Sequence, residues 1–111
     1  MTVTETQLNP LNTLRLATGR ILDTGTVATT FPVDVELGFK PRYVCVENVT
    51  SGDKMEWYEG MTDATAVKTV AAGTRTILAS LGITVTATGF EIGLDTDVVY
   101  TSEQVTWLAL G

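Results

Sequence analysis

Between residues 33 and 37 the chain reads Val-Asp-Val-Glu-Leu, with apolar side chains at 33, 35 and 37 and carboxylates between them. A period of two places the apolar set on one side of an extended backbone, so this stretch predicts a half-buried strand. Residues 83–87 repeat the pattern, with Ile83, Val85 and Ala87 expected inward and Thr84 and Thr86 outward. Residues 42–50 and 54–59 predict a hairpin around Ser51-Gly52-Asp53, a connection that suits a residue with positive φ. In its first strand Val44, Val46 and Asn48 share one face, and Tyr43, Cys45, Glu47 and Val49 the other. In its second, Met55 and Trp57 oppose Lys54, Glu56 and Tyr58. Both faces of this hairpin are therefore largely apolar near its start. Residues 104–110 predict a closing strand, with Val105, Trp107 and Ala109 on one face and Leu108 and Leu110 on the other.

The remaining segments are punctuated by glycine. Residues 14–22 fit a short helix or a strand; alternation of Leu14, Leu16 and Thr18 with Arg15 and Ala17 favours a strand running to Gly19. Gly38 and Pro41 end the 33–37 strand and oppose a helix there. Residues 62–66 read as a loop or one helical turn, and residues 67–71 and 74–80 as strands. Phe90 and Ile92 begin another strand, interrupted by Gly93 and Asp95-Thr96-Asp97, and residues 98–100 form a further one. Threonine occupies 21 positions, and with valine, isoleucine and aromatic residues it suits a pleated, half-buried surface. The expected fold is all-β: an antiparallel β-sandwich or jelly-roll-like barrel over residues 13–111. Residues 1–12 are polar, contain Pro10 and show no period, and are read as an extended N-terminal arm, tied down by Leu8, Leu11 and Leu14 or else frayed.

Composition narrows the function more than the fold. The chain has 111 residues, 44% hydrophobic and 18% charged, which fits one globular domain. No apolar run approaches the ~20 residues of a membrane span, and the first residues do not pattern as a secretion signal. The net charge of −6 disfavours nucleic acid as a partner, because acidic surfaces repel phosphate. A lone cysteine, Cys45, excludes an intrachain disulfide. Histidine is absent, which removes the commonest general base and metal ligand together. The expectation is a protein that is not an enzyme, with no cofactor and no metal.

Each candidate chemical group has a plainer reading. Glu56 and Glu59 flank two aromatics as a glycosidase pair could, but three residues apart on a strand they point to opposite faces, so solvated rim charges are expected. Asp95 and Asp97 could begin a calcium loop, yet an ordinary turn fits two lone carboxylates better. Asn48-Val49-Thr50 matches a glycosylation sequon without a secretory context. Cys45 has no basic titratable partner and reads as a small strand residue. What stays unexplained is surplus apolar surface. Tyr43, Cys45, Val49 and Tyr58 project opposite to Val44, Val46, Met55 and Trp57, and a second apolar face implies a partner, such as another copy of the chain.

Gly38-Phe39-Lys40-Pro41-Arg42-Tyr43-Val44, Val46-Glu47-Asn48-Val49-Thr50, Glu56-Trp57-Tyr58-Glu59-Gly60-Met61, Gly89-Phe90-Glu91-Ile92-Gly93 and the final Val105-Thr106-Trp107-Leu108-Ala109 resemble small structural proteins of tailed bacteriophage virions. The resemblance covers residues 38–111. It implies a jelly-roll-like domain that decorates the outside of an assembled capsid as a homotrimer, with the major capsid protein as partner and no nucleic acid or membrane contact. Such a cement protein is made in the host bacterial cytoplasm and stabilises contacts between capsomers. Leu8, Leu11, Leu14, Tyr43, Cys45 and Tyr58 are the expected partner-binding residues. The alternative is a head- or tail-fibre module binding host glycans through Trp57, Tyr58 and the acidic rim.

Overall fold

A computed structural model describes residues 15–22, 32–99 and 103–111. Among them are eight strands and no helix: β1 (Leu16–Leu22), β2 (Val33–Glu36), β3 (Tyr43–Asn48), β4 (Lys54–Tyr58), β5 (Thr65–Thr69), β6 (Arg75–Val85), β7 (Gly89–Ile92) and β8 (Gln104–Leu110). All join one sheet in the order β1-β8-β3-β4-β5-β6-β7-β2, and every neighbouring pair is antiparallel. The expected antiparallel, barrel-like all-β fold is what forms, its two layers being the two halves of one curled sheet. The predicted arm and its three leucines lie outside the described residues.

The curl is measurable across the core. Phe90 of β7 and Trp107 of β8 stand five strand steps apart in the sheet order. In a flat sheet at ~4.8 Å per step they would be about 24 Å apart. Their ring centroids are instead 5.4 Å apart, meeting edge to face at 74°. The sheet therefore folds over so that one face encloses itself. That face carries the fully buried Val44 and Val46 of β3, Met55 of β4, Ile83 of β6, Ile92 of β7 and Val105 of β8.

The hairpin around Gly52 forms as predicted, with Gly52 at φ 88°. Asn48, fully buried, holds it together. Its Oδ1 accepts the backbone N–H groups of Thr50 (2.9 Å) and Ser51 (2.8 Å), while its Nδ2 donates to Glu103 Oε1 at 2.9 Å. Both ends of the amide are used inside the protein, so the sequon is a structural turn.

Four expectations change. First, the strand expected to stop at Gly19 runs on to Leu22, and its inward residues are Ala17, Gly19 and Ile21. Gly19 sits opposite Trp107, and a Cβ there would lie 2.5 Å from the Trp107 ring, so the glycine makes room for the indole. Second, the two strands expected at 74–80 and 83–87 are one, β6, whose pairing with β5 jumps from Ala66↔Leu78 to Thr65↔Ile83. The unmatched residues form a bulge, with Leu81 at φ 62°, which bends the strand so that its first half pairs with β5 and its end with β7. Third, β5 is Thr65–Thr69, two residues earlier than predicted, so 65–66 are strand. Fourth, Val98 and Val99 are not in a strand. They sit in a turn held by Asp95 O, which accepts both of their N–H groups (3.0 and 2.8 Å), and both side chains are fully buried.

Replacing Gly19 with valine overpacks the Trp107 side of the core. Chemical denaturation is expected to show a loss of about 1–3 kcal/mol, with a shift in tryptophan fluorescence in the folded state.

A candidate protein-binding face

Register sorts the outward side chains into rows that cross the sheet. One row runs Thr18, Leu108, Cys45, Glu56, Val67 and Ile77 from β1 to β6. The next, at one end, runs Leu16, Leu110, Tyr43 and Tyr58; the next, at the other, runs Arg20, Thr106, Glu47, Lys54, Thr69 and Arg75. Two of the three rows are mainly apolar; within them Tyr43, Cys45, Val67, Leu108 and Leu110 are half-buried and three large side chains are exposed. Ile77 is 67% exposed, Leu16 53% and Tyr58 45%. Where β1, β8 and β3 meet lies an open depression of about 590 Å³ lined by Thr18, Gly19, Arg20, Tyr43, Cys45, Glu47, Thr106, Trp107 and Leu108.

The predicted Tyr43, Cys45 and Tyr58 come together on this face. Tyr43 and Tyr58 are directly paired across β3 and β4, with rings 5.1 Å apart and tilted by 57°. Both hydroxyls donate to Glu56 Oε2, at 2.6 Å from Tyr43 and 3.3 Å from Tyr58. Burial and this hydrogen bond push the Tyr43 hydroxyl well above its usual range, so it stays protonated and donating. Burial likewise raises the Cys45 thiol, with the nearby Glu56 charge adding to it. A thiol held protonated is a poor nucleophile. Glu56, expected as a solvated rim charge, has a side chain only 13% exposed because the two tyrosines cover it; Glu59 is exposed as expected.

Leu16, Leu108, Val67 and Ile77 were not among the expected partner-binding residues, although Leu108 had been assigned to the face opposite Val105, Trp107 and Ala109. Leu16, Thr18 and Arg20 do alternate with Ala17, Gly19 and Ile21, which is a legible signal for β1. For β6 none existed, because the bulge hides which phase of 74–80 faces out. Trp57, by contrast, is core: it is 5% exposed and its Nε1 donates to Thr62 O at 3.3 Å.

Charge divides the outer surface. The β1-to-β6 rows carry Arg20, Lys54 and Arg75 against Glu47 and Glu56, three basic to two acidic, in a chain with seven basic and thirteen acidic residues. Beyond the β6 bulge the outward row is Thr84, Glu91 and Asp34, with Glu36 also outward on β2. The β7–β2 wing thus presents three carboxylates and no described base, and the apolar rows are close to neutral.

The Asp95-Thr96-Asp97 turn already has its cation. Lys68 of β5 reaches it from the inner side, with Nζ 3.0 Å from Asp95 Oδ1 and 2.6 Å from Asp97 Oδ2. Asp95 Oδ1 also accepts the Asp97 N–H at 3.1 Å. Among the described residues no three histidine, cysteine or acidic side chains gather as metal ligands, and no helix is long and apolar enough to cross a membrane. No family model, curated protein or solved structure matches the chain.

Burial acts to lower the Lys68 pKa, but the hydrogen bonds and charges of Asp97 and Asp95 outweigh it and raise the group above its ordinary 10.5. A pKa raised on folding contributes stability that is complete below the unfolded value and disappears as pH rises through the folded one. The native protein should therefore lose stability above the ordinary lysine range. Lys68→Met should lose about 2 kcal/mol at neutral pH, and its alkaline decline should be shallower than that of the native protein, the remainder coming from Tyr43 and Cys45, which folding also raises.

Proposed function

We propose that this protein is a capsid decoration subunit of a tailed bacteriophage. In this reading it binds the outer surface of the assembled shell as a homo-oligomer, the resemblance implying a trimer, and stabilises contacts between capsomers. Its partners are the major capsid protein and copies of itself. The carrying observation is a two-sided β domain: one face of the sheet is consumed by the core, and the opposite face keeps two near-neutral apolar rows around Tyr43, Cys45 and Tyr58. Adhesion is what such a face does. Removing its apolar area from water drives association at ~25 cal/mol per Å² before ordering costs, and several weak contacts made at once hold firmly. A cysteine and a tyrosine both held protonated fit an adhesive surface better than a reactive one.

The glycan-binding alternative draws less support, since it relied on Trp57 as a stacking platform and that ring is in the core. Tyr58 alone remains exposed for it.

The test is occupancy of purified phage shells stripped of this protein, measured by co-sedimentation and by cryo-electron microscopy. Wild-type protein is expected to occupy defined positions on the shell exterior. Leu16→Asp, which charges an exposed apolar row, should weaken binding about tenfold or more, and deleting residues 1–12 should lower occupancy if the arm reaches a neighbouring capsomer. Failure of the wild-type protein to bind any phage shell would sink the reading.

A further inference from the structure

The first half of β6 is paired along one edge only. Arg75 to Leu78 stand opposite Thr69 to Ala66 of β5, whereas β7 reaches only Ile83 to Val85. Among the described residues none pairs with the other edge of 75–78. Arg75, Thr76 and Ile77 are all exposed, although their side chains alternate between the two faces. An open depression of about 330 Å³ borders this edge, lined by Val67, Arg75, Thr76 and Ile77. The phase of the ladder determines which backbone groups the edge presents. The Val70 N–H donates to Thr74 O at 3.0 Å, so Thr74 turns its polar groups toward β5. Bonded and non-bonded pairs alternate along an antiparallel ladder. Arg75 and Ile77 therefore direct their N–H and C=O groups away from β5, toward the open edge. Residues 74–81 contain no proline and no acid, the two usual guards of such an edge.

We propose that the same edge of a second copy of this chain completes it: the two β6 strands pair antiparallel about a twofold axis at Ile77. The strand is complementary to itself in three respects. Facing residues must share a sheet face, so the axis falls on a residue and not between two. That residue must present its backbone groups to the edge, so that the central pair exchanges two hydrogen bonds, and Ile77 does. Charge then selects the direction. In the antiparallel pair each Arg75 stands opposite Ala79, and the two arginines are ~13 Å apart along the strands, beyond a Debye length of ~8 Å. A parallel pair would set them one strand spacing apart, at ~4.8 Å. The outward row that ends in Val67 and Ile77 then runs on into the Ile77 and Val67 of the second copy. Ile77, the most exposed large apolar side chain among the described residues, packs against its own twin. The β2 edge offers no such match, since two of its four residues are Asp34 and Glu36. An isologous contact uses each edge once and so closes at two copies. It concerns the free protein and stands apart from the shell reading above, whose resemblance implies a trimer.

Sedimentation velocity of the full chain tests this, and a reversible dimer is expected. Ile77→Lys sets a charge on the axis and should weaken the dimer about tenfold or more, with circular dichroism verifying that the fold is kept. Exchange of the Ile77 amide hydrogen should slow as protein concentration rises. In a Cys45→Ala background, Ile77→Cys should form an intermolecular disulfide in air, because facing Cα atoms of a bonded pair lie ~5.5 Å apart. Thr69→Cys, one strand away from the contact, should not. A wild type that stays monomeric defeats the contact, and so does an oligomer that Ile77→Lys leaves intact. A dimer whose Ile77 amide exchanges freely, and which Ile77→Cys does not cross-link, joins through another surface and overturns the inference. Shell occupancy is measured separately, so failure of this contact and failure of the shell reading are distinguishable.

Discussion

A sheet with one apolar face must bury that face against something, and in this chain the something is the sheet itself. The edge-to-face contact of Phe90 with Trp107 joins strands five steps apart, and it exists only because the sheet has closed on itself. Two local features permit the closure. The bulge in β6 supplies the bend, letting a single strand pair with β5 along one half and β7 along the other. Gly19 supplies the space, since any side chain there would collide with the Trp107 ring. Val98 and Val99 then fill the interior from a turn, held by two hydrogen bonds to one carbonyl.

Curling also determines what remains outside. In a sandwich of two sheets, each sheet buries its inner face and polar residues cover the other. Here the alternation that sends Val44, Val46, Met55 and Trp57 inward sends Tyr43, Cys45 and Tyr58 outward. The tyrosine pair covers Glu56, so the carboxylate in the middle of this face is largely removed from solvent and does not break the apolar character around it. Lys68 performs the matching role on the inner side. A cation on the core face of β5 would be costly unpaired, and the Asp95–Asp97 turn supplies its counter-charges.

The parts of this arrangement that were legible in the sequence are those governed by period two. Val33 to Leu37, the 43–58 hairpin and residues 104–110 keep strict alternation, so their inner and outer faces could be assigned residue by residue. Tyr43, Cys45 and Tyr58 were found by that rule. It failed where a long-range partner decides the outcome. Gly19 reads as a strand breaker until Trp107 is known to lie across it. Residues 75–85 read as two strands because a bulge inserts extra residues and resets the phase. Val98 and Val99 read as strand because burial in a turn leaves the same apolar signature. Glu56 reads as a rim charge because nothing local reveals the Tyr43 hydroxyl reaching it from the neighbouring strand alongside that of Tyr58 on its own strand, and the Asp95–Asp97 pair reads as an ordinary turn whose cation, Lys68, is hidden 27 residues away from Asp95.

The uneven charge of the outer surface gives the fold a direction. Asp34 and Glu91 stand directly opposite one another on β2 and β7, a like-charge pair that costs some stability. On a four-residue edge strand that cost has a return: carboxylates beside an exposed edge oppose the approach of a second edge, and of another acidic copy. The β1–β6 side has no such guard. Its Arg20, Lys54 and Arg75 offset Glu47 and Glu56, and its apolar rows can meet a protein surface without burying an excess of one sign. The net charge of −6 is held mostly elsewhere, where it opposes close approach of a second acidic surface. Like charge on one wing thus limits the orientations in which the apolar outer rows of this small sheet could stack.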